Sequence, residues 1–224
     1  ERAQVVDQIV PAPPYPADLD YVFSVGDAPL VAEMVSVKDI PLPLRLAPVQ
    51  DEVGRMKRLL QEAGPGPYLG VTWRGGVERQ PGETVRLFKT VELDALARAV
   101  GEWPGTVLIL QRNPQPGEVA AFSRSLGREA HDFSRLNEEL EAMLALLSLI
   151  DDYVGVSNAN MHLRAGLGRT AKVLIPQPPE WRWMFEGERS PWFPDFKLYR
   201  ERLDGDWGPA IDALARDLAN PVSR

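Results

Sequence analysis

Cysteine is absent from the 224 residues of the chain. Disulfides, cysteine-ligated zinc and a cysteine nucleophile are therefore excluded, and the absence fits a reducing compartment. Histidine is scarce. His131 and His162 are the whole complement, too few for an imidazole cluster, so neither a metal nor another cofactor is expected. Positive charge is in deficit, with 25 Lys and Arg against 32 Asp and Glu and a formal net charge of −7. No basic tract offsets it, so nucleic acid is not an expected partner. A small phosphorylated ligand stays compatible, because a few local donors outweigh global charge. No apolar run approaches the roughly 20 residues that span a bilayer, and the opening ERAQVVDQIV lacks signal-peptide character.

Several motifs are missing too. No GxGxxG follows a strand pattern, which argues against a dinucleotide oxidoreductase. GxxxxGK[ST] and GxSxG are also absent, which disfavours a P-loop kinase or ATPase and an α/β-hydrolase. No repeat of solenoid period is present.

What is present is ordinary for a folded chain: 44% hydrophobic and 25% charged residues, and a length that can bury a full core without staples. The 21 prolines gather between Pro11 and Pro48 and between Pro176 and Pro194, marking extended connections. Residues 5–10 (VVDQIV) and 21–25 (YVFSV) have strand composition, but neither gains a helix partner before Pro41. Residues 1–65 therefore read as the tail of something larger, closing in a helix. In that helix Val49, Val53, Met56, Leu59, Leu60 and Ala63 recur at helical spacing, and Gly64 stops it.

From Pro67 the pattern changes. Residues 68–73 (YLGVTW) predict an apolar strand, followed by a helix face of Val91, Leu93, Leu96, Ala97 and Val100. Residues 106–111 (TVLILQ) predict a strand covered on both faces. Val119, Phe122 and Leu126 mark the next helix, before Gly127. A short strand is expected at 131–133, then a helix from Leu140, Met143, Leu144, Leu147 and Ile150. A strand at 153–157 (YVGVS), a short helix at 158–167 and a strand at 172–176 (KVLIP) complete the series. Ile211, Leu214, Ala215 and Leu218 predict a final helix with Pro209 in its first turn. Alternation of this kind demands parallel strands. The expected class is α/β, a Rossmann-like parallel sheet with helices on both faces, formed by residues 66–224. Ligands then bind at the carboxyl ends of strands, where the strand order reverses.

The loops at those ends hold the candidates. Arg74-Gly75-Gly76 follows the first strand: the glycines admit close backbone approach and Arg74 offers a donor fork for phosphate, though the same residues make a plain tight turn. Arg86 and Lys89 precede a helix, where they either neutralise phosphate or remain solvated. Gln111 closes a strand and either bonds a base or sugar or caps the strand. Ser157 and Asn158 stand where a strand becomes a helix, so they can cap it while its free amides face an anion. His162 lies about one turn further in, suited to proton transfer or to a phosphate, or else packed in the core. Trp181, Trp183, Trp192 and Phe193 crowd a proline-rich loop where packing is the expected job for most of them. Glu180 in that loop is a candidate acceptor for ribose hydroxyls.

Taken together, residues 151–201 (DDYVGVSNANMHLRAGLGRTAKVLIPQPPEWRWMFEGERSPWFPDFKLYRE) resemble the C-terminal region of heptosyltransferase-like glycosyltransferases. The branch they resemble most is the one often joined to tetratricopeptide repeats. YLGVTWRGG and VLILQ resemble the first two strand-loops of the same domain, so the likeness covers about residues 66–219. It implies the donor-binding half of a GT-B fold, with a C-terminal helix that crosses back, and a metal-independent glycosyltransferase working in the cytoplasm. It also implies a nucleotide-diphosphate sugar and a glycan or protein acceptor as partners. Residues 1–65 would be a remnant of the N-terminal half, and a tetratricopeptide-repeat region or complete N-terminal half would belong to the full protein. By the same resemblance Ser157 and Asn158 fall at the diphosphate, His162 matches the family histidine, and Arg74 and Lys89 fall near phosphate-facing cations. Many relatives carry aspartate where Ser157 stands. The family's general base, an aspartate of the other half, has no counterpart here. The alternative expectation is a non-catalytic binding or assembly module with a vestigial site.

Overall fold

The computed structural model describes residues 19–22, 24–75 and 89–220. In chain order its elements are α1 (Ala28–Val31), α2 (Gln50–Ala63), β1 (Tyr68–Val71), β2 (Arg74–Gly75), β3 (Lys89–Thr90), α3 (Leu93–Ala99), β4 (Thr106–Ile109), α4 (Glu118–Leu126), β5 (His131–Asp132), α5 (Leu140–Leu149), β6 (Asp152–Val156), α6 (Ala159–Gly166), β7 (Lys172–Ile175), β8 (Lys197–Arg200) and α7 (Gly208–Ala219).

Six strands form one sheet in the order β5-β4-β1-β6-β7-β8, and every pair in it is parallel. β1 was laid down first and is the strand from which the order runs both ways. The chain builds outward to β4 and β5, then returns to add β6, β7 and β8 on the other side. The reversal therefore lies between β1 and β6, which is where such sheets open a crevice.

Side chains alternate across each strand and feed two cores. Val71, Val107, Ile109, Val154, Val156 and Leu174 pack on one face with Leu96 of α3, Phe122 of α4 and Leu214 of α7. Leu108, Leu110, Tyr153, Val173 and Ile175 pack on the other with Met56 and Leu60 of α2, Met143 and Leu146 of α5 and Met161 of α6. Burying a side chain of this size is worth about 1.5–3 kcal/mol. This two-sided cover explains why β4 reads as an unbroken apolar run. No described helix is long and apolar enough to cross a membrane.

Two local expectations need correction. Tyr21 and Val22 are exposed without regular structure, and a 3-10 turn begins at Val25, so the expected strand is not seen among the described residues there. No described strand lies alongside to pair their backbone. Conversely, β8 pairs with β7 along its whole length, although its KLYR sequence carries charge at both ends and follows the proline-rich loop. It lies at the sheet edge, where one row of backbone groups has no neighbour strand and polar residues are tolerated. The expected strand at residues 5–10 lies outside the described residues.

Candidate functional site

β1 and β6 end side by side, and their ends are interlocked. A Cβ on Gly75 would come within 2.6 Å of the Ser157 carbonyl oxygen, and one on Gly155 within 2.0 Å of Thr72 Oγ1. Only glycine lets these two strand ends approach so closely. Above them opens a cavity of about 810 Å³ whose walls include Arg74, Gly75, Lys89, Gln111, Ser157, Asn158 and His162. These are candidates that the sequence scattered over nearly ninety positions. Gly76 and Arg86 lie outside the described residues.

Asn158 organises the centre. Its Oδ1 accepts from the Met161 backbone N–H at 3.3 Å, capping α6. Tyr153 Oη donates to the same oxygen at 3.2 Å, and Asn158 Nδ2 donates to Thr72 Oγ1 at 2.9 Å. The strand–polar–helix pattern thus produces a real N-cap, and the first amides of α6 add partial positive charge to the cavity wall. Burial raises the Tyr153 pKa against opposing hydrogen bonds from Thr72 and Asn158, so the phenol remains a donor.

Arg74 and Lys89 are balanced by carboxylates of the chain. Arg74 makes a two-pronged pair with Glu118, at 2.7 and 3.2 Å, and also donates to the Asn113 carbonyl at 3.1 Å. Burial would raise the Glu118 carboxyl, but bonds from Arg74 and the Gln115 amide outweigh it and hold it below the ordinary value. Lys89 pairs with Glu180 at 2.8 Å. Glu180 also accepts from Ser157 Oγ at 2.7 Å, Trp183 Nε1 at 3.2 Å and Arg182 at 3.3 Å. Burial again pulls upward, and the Lys89 and Ser157 bonds with the charges of Lys89 and Arg182 pull the carboxyl lower. Glu180 is thus ionised near neutral pH and already fully bonded.

Gln111 spends its amide on backbone. Its Oε1 accepts from the Trp73 and Arg74 N–H groups, and its Nε2 donates to the Arg74 and Arg112 carbonyls. It staples the ends of β1 and β4 together. His162 meets Phe193 edge-on at 5.3 Å between ring centroids. Burial first, then the charges of Arg182 and Lys89, lower its pKa against the pull of Glu180, so the imidazole is neutral at pH 7.

Most aromatics of the proline-rich loop are packed. Trp183 is buried and stacks on Phe193 at 4.7 Å. Trp181 is half exposed and touches Trp192 edge-on. Arg200 donates to the carbonyls of Trp183, Met184, Glu186 and Gly187, fastening the loop to β8.

Some contributors escaped the sequence reading. Thr72, Arg112, Asn137 and Asn160 also line the cavity, and Glu118 anchors Arg74. Thr72 carried a usable signal, a polar residue at the end of an apolar strand. Arg112 is exposed and has no ion-pair partner among the described residues. No group of three or more potential metal ligands occurs among the described residues.

This sheet, with its crevice at the reversal, is the Rossmann-like α/β arrangement of heptosyltransferase-like GT-B structures. The chain superposes on the structure of a glycosyl transferase family 9 protein from Veillonella parvula with a TM-score of 0.56 at 9% identity, covering 78% of this chain and 47% of that one. It also superposes on E. coli ADP-heptose lps heptosyltransferase II with a TM-score of 0.54 at 15% identity, covering 82% and 58%. At such identities the likeness is one of fold. In sequence, the chain is 27% identical over 176 residues to Protein FlbA of Caulobacter vibrioides, an alignment that spans 77% of this chain and 28% of that protein's length. No protein-family profile matches the chain.

Proposed function

We propose that this chain forms the donor-binding half of a metal-independent glycosyltransferase, holding a nucleotide-diphosphate sugar for transfer to a glycan or protein acceptor. The observation that carries the reading is the cavity at the β1/β6 reversal, where Lys89, Arg112 and the capped start of α6 converge. In the transfer, an acceptor hydroxyl oxygen attacks the anomeric carbon and gives its proton to a base that the other half would supply, while the carbon's bond to the diphosphate breaks and the electron pair leaves with the diphosphate. Preorganised positive charge at the leaving group is the main contribution such a site makes. The amides of α6 and Lys89 would face the phosphates, and Arg74, steadied by Glu118, would support them. Neutral His162, on the cavity wall, would donate to, or exchange a proton with, a phosphate oxygen. In the longer protein an N-terminal GT-B half or a tetratricopeptide-repeat region would accompany this one, on the cytoplasmic side.

Calorimetry with UDP-, GDP- and ADP-sugars tests the reading. One of them binds, and Asn158→Ala and Arg74→Ala each weaken it by about 1–3 kcal/mol, the range for a lost charge-assisted bond. Unchanged affinity in both variants refutes the placement.

One observation favours a second reading, a binding or assembly module with a vestigial site. Arg74, Lys89, Ser157 and Gln111 are all satisfied by partners within the chain. Absence of any thermal shift across the nucleotide-sugar panel would select that alternative.

A further inference from the structure

We infer that Glu180 is an internal stand-in for phosphate: its carboxylate occupies the anion cradle of the cavity, and an incoming diphosphate displaces it and moves the turn that carries it. The inference rests on the donor-site reading, because the ligand's diphosphate is the displacing group.

Three observations carry it. First, the carboxylate sits among donors that belong to the cavity. Oε1 accepts from Lys89 Nζ and Arg182, and Oε2 accepts from Ser157 Oγ. Lys89, Ser157 and Arg182 all line the cavity. Carboxylate and phosphate oxygens satisfy such donors interchangeably, and a phosphate brings more oxygens to them.

Second, the cradle is imperfectly filled. Arg182 Nε is buried and has no hydrogen-bond partner among the described residues. A buried donor left unmade is unfavourable, and two carboxylate oxygens shared among four donors do not reach it. A ligand with additional oxygens, or a rotated Arg182, would.

Third, Glu180 cannot leave alone. It starts the 3-10 turn at Trp181–Trp183, and the Trp183 N–H donates to its carbonyl at 2.9 Å. Trp183 Nε1 bonds its carboxylate as well. Arg200 donates to the Trp183 carbonyl and the Ser190 hydroxyl donates to the Arg182 carbonyl at 2.6 Å, so the far side of the turn is anchored. Displacement is therefore a local movement of residues 178–181, not release of the whole loop.

The test uses the full chain and inorganic pyrophosphate as probe. Removing the competing charge in Glu180→Gln tightens pyrophosphate binding by calorimetry, by about tenfold for one charge-assisted bond no longer contested. Equal or weaker binding overturns the inference while leaving the donor reading intact. A glutamate that serves ribose hydroxyls gives another pattern, with pyrophosphate unaffected and only nucleotides weakened, and that also overturns it. A second measurement needs no variant. In the wild-type chain, pyrophosphate speeds hydrogen exchange of the Trp183 amide, which bonds the Glu180 carbonyl, and unchanged or slower exchange there counts against displacement. If the wild-type chain binds neither pyrophosphate nor any nucleotide sugar, both the donor reading and the inference fall.

Discussion

Asn158 Nδ2 donates to Thr72 Oγ1 at 2.9 Å, so one side chain ties the end of β6 to the end of β1 across the point where the strand order reverses. The same residue caps α6 through its oxygen. The wall of the cavity and the start of the helix are thus set by a single amide.

Asn158→Ala removes both contacts. Loss of an N-cap costs about 1–2 kcal/mol of stability, read by urea denaturation. Asn158→Asp keeps the capping oxygen but not the donor to Thr72, so it recovers most of the loss. Equal destabilisation by the two variants would show that the Thr72 contact, not the cap, carries the energy.

Gly155→Ala tests the interlocking of the strand ends. Its new methyl would lie 2.0 Å from Thr72 Oγ1 and 2.7 Å from the Thr72 carbonyl oxygen. Neither β1 nor β6 can retreat from a sheet covered on both faces, so the strain is about 1–3 kcal/mol or more. Thr72→Ala in the same chain restores part of it, because the nearest clash disappears while the carbonyl stays. A wild-type denaturation midpoint for Gly155→Ala would contradict the geometry.

The pH dependence of stability carries a signature of His162. Its folded pKa lies below the ordinary 6.5, through burial and then the charges of Arg182 and Lys89. The unfolded chain takes up a proton near that ordinary value and the folded chain resists it. The stabilising contribution is therefore complete above about pH 6.5 and is lost as pH falls below it. Denaturation midpoints between pH 7.5 and 5 should fall further for the wild type than for His162→Gln, each referred to its own value at pH 7.5. Parallel profiles would remove His162 from this role.

The two tryptophans of the 3-10 turn should part company. Trp183 is buried between aromatic neighbours, and Trp183→Ala costs about 3–5 kcal/mol as a large core truncation. Trp181 is half exposed with one edge-on ring contact and Arg182 above it, so Trp181→Ala costs about 1 kcal/mol or less. Thermal denaturation of both separates a packed ring from a surface ring.

The parts of the fold that were legible in the sequence are those whose cause is local. The spacing of Met56 and Leu60 announced α2, Gly127 stopped α4 in the left-handed region, and Ser157-Asn158 marked a strand turning into a helix. β8 was hidden because its edge position tolerates Lys197 and Arg200. In the site, the alternation of elements put Arg74, Lys89 and His162 near strand ends or helix starts, and all three line one cavity. Their bonding was not legible. Arg74 meets Glu118 44 residues away, and Glu180 meets Ser157 and Lys89 across 23 and 91 residues. Pairs so distant are made by the sheet, and no periodicity encodes them.

A sheet whose strands all point one way also has a blunt end. There Tyr68 N–H donates to Asp151 Oδ2 at 2.7 Å, Thr106 Oγ1 donates to the Pro65 carbonyl at 2.7 Å, and Lys172 pairs with Asp152. These fasteners sit a full strand's length from the cavity. A mutagenic library confined to the segments following β1, β4, β6 and β7 would therefore reshape the cavity wall without touching these fasteners. Substitutions among the fasteners would alter expression and melting while leaving the cavity wall alone.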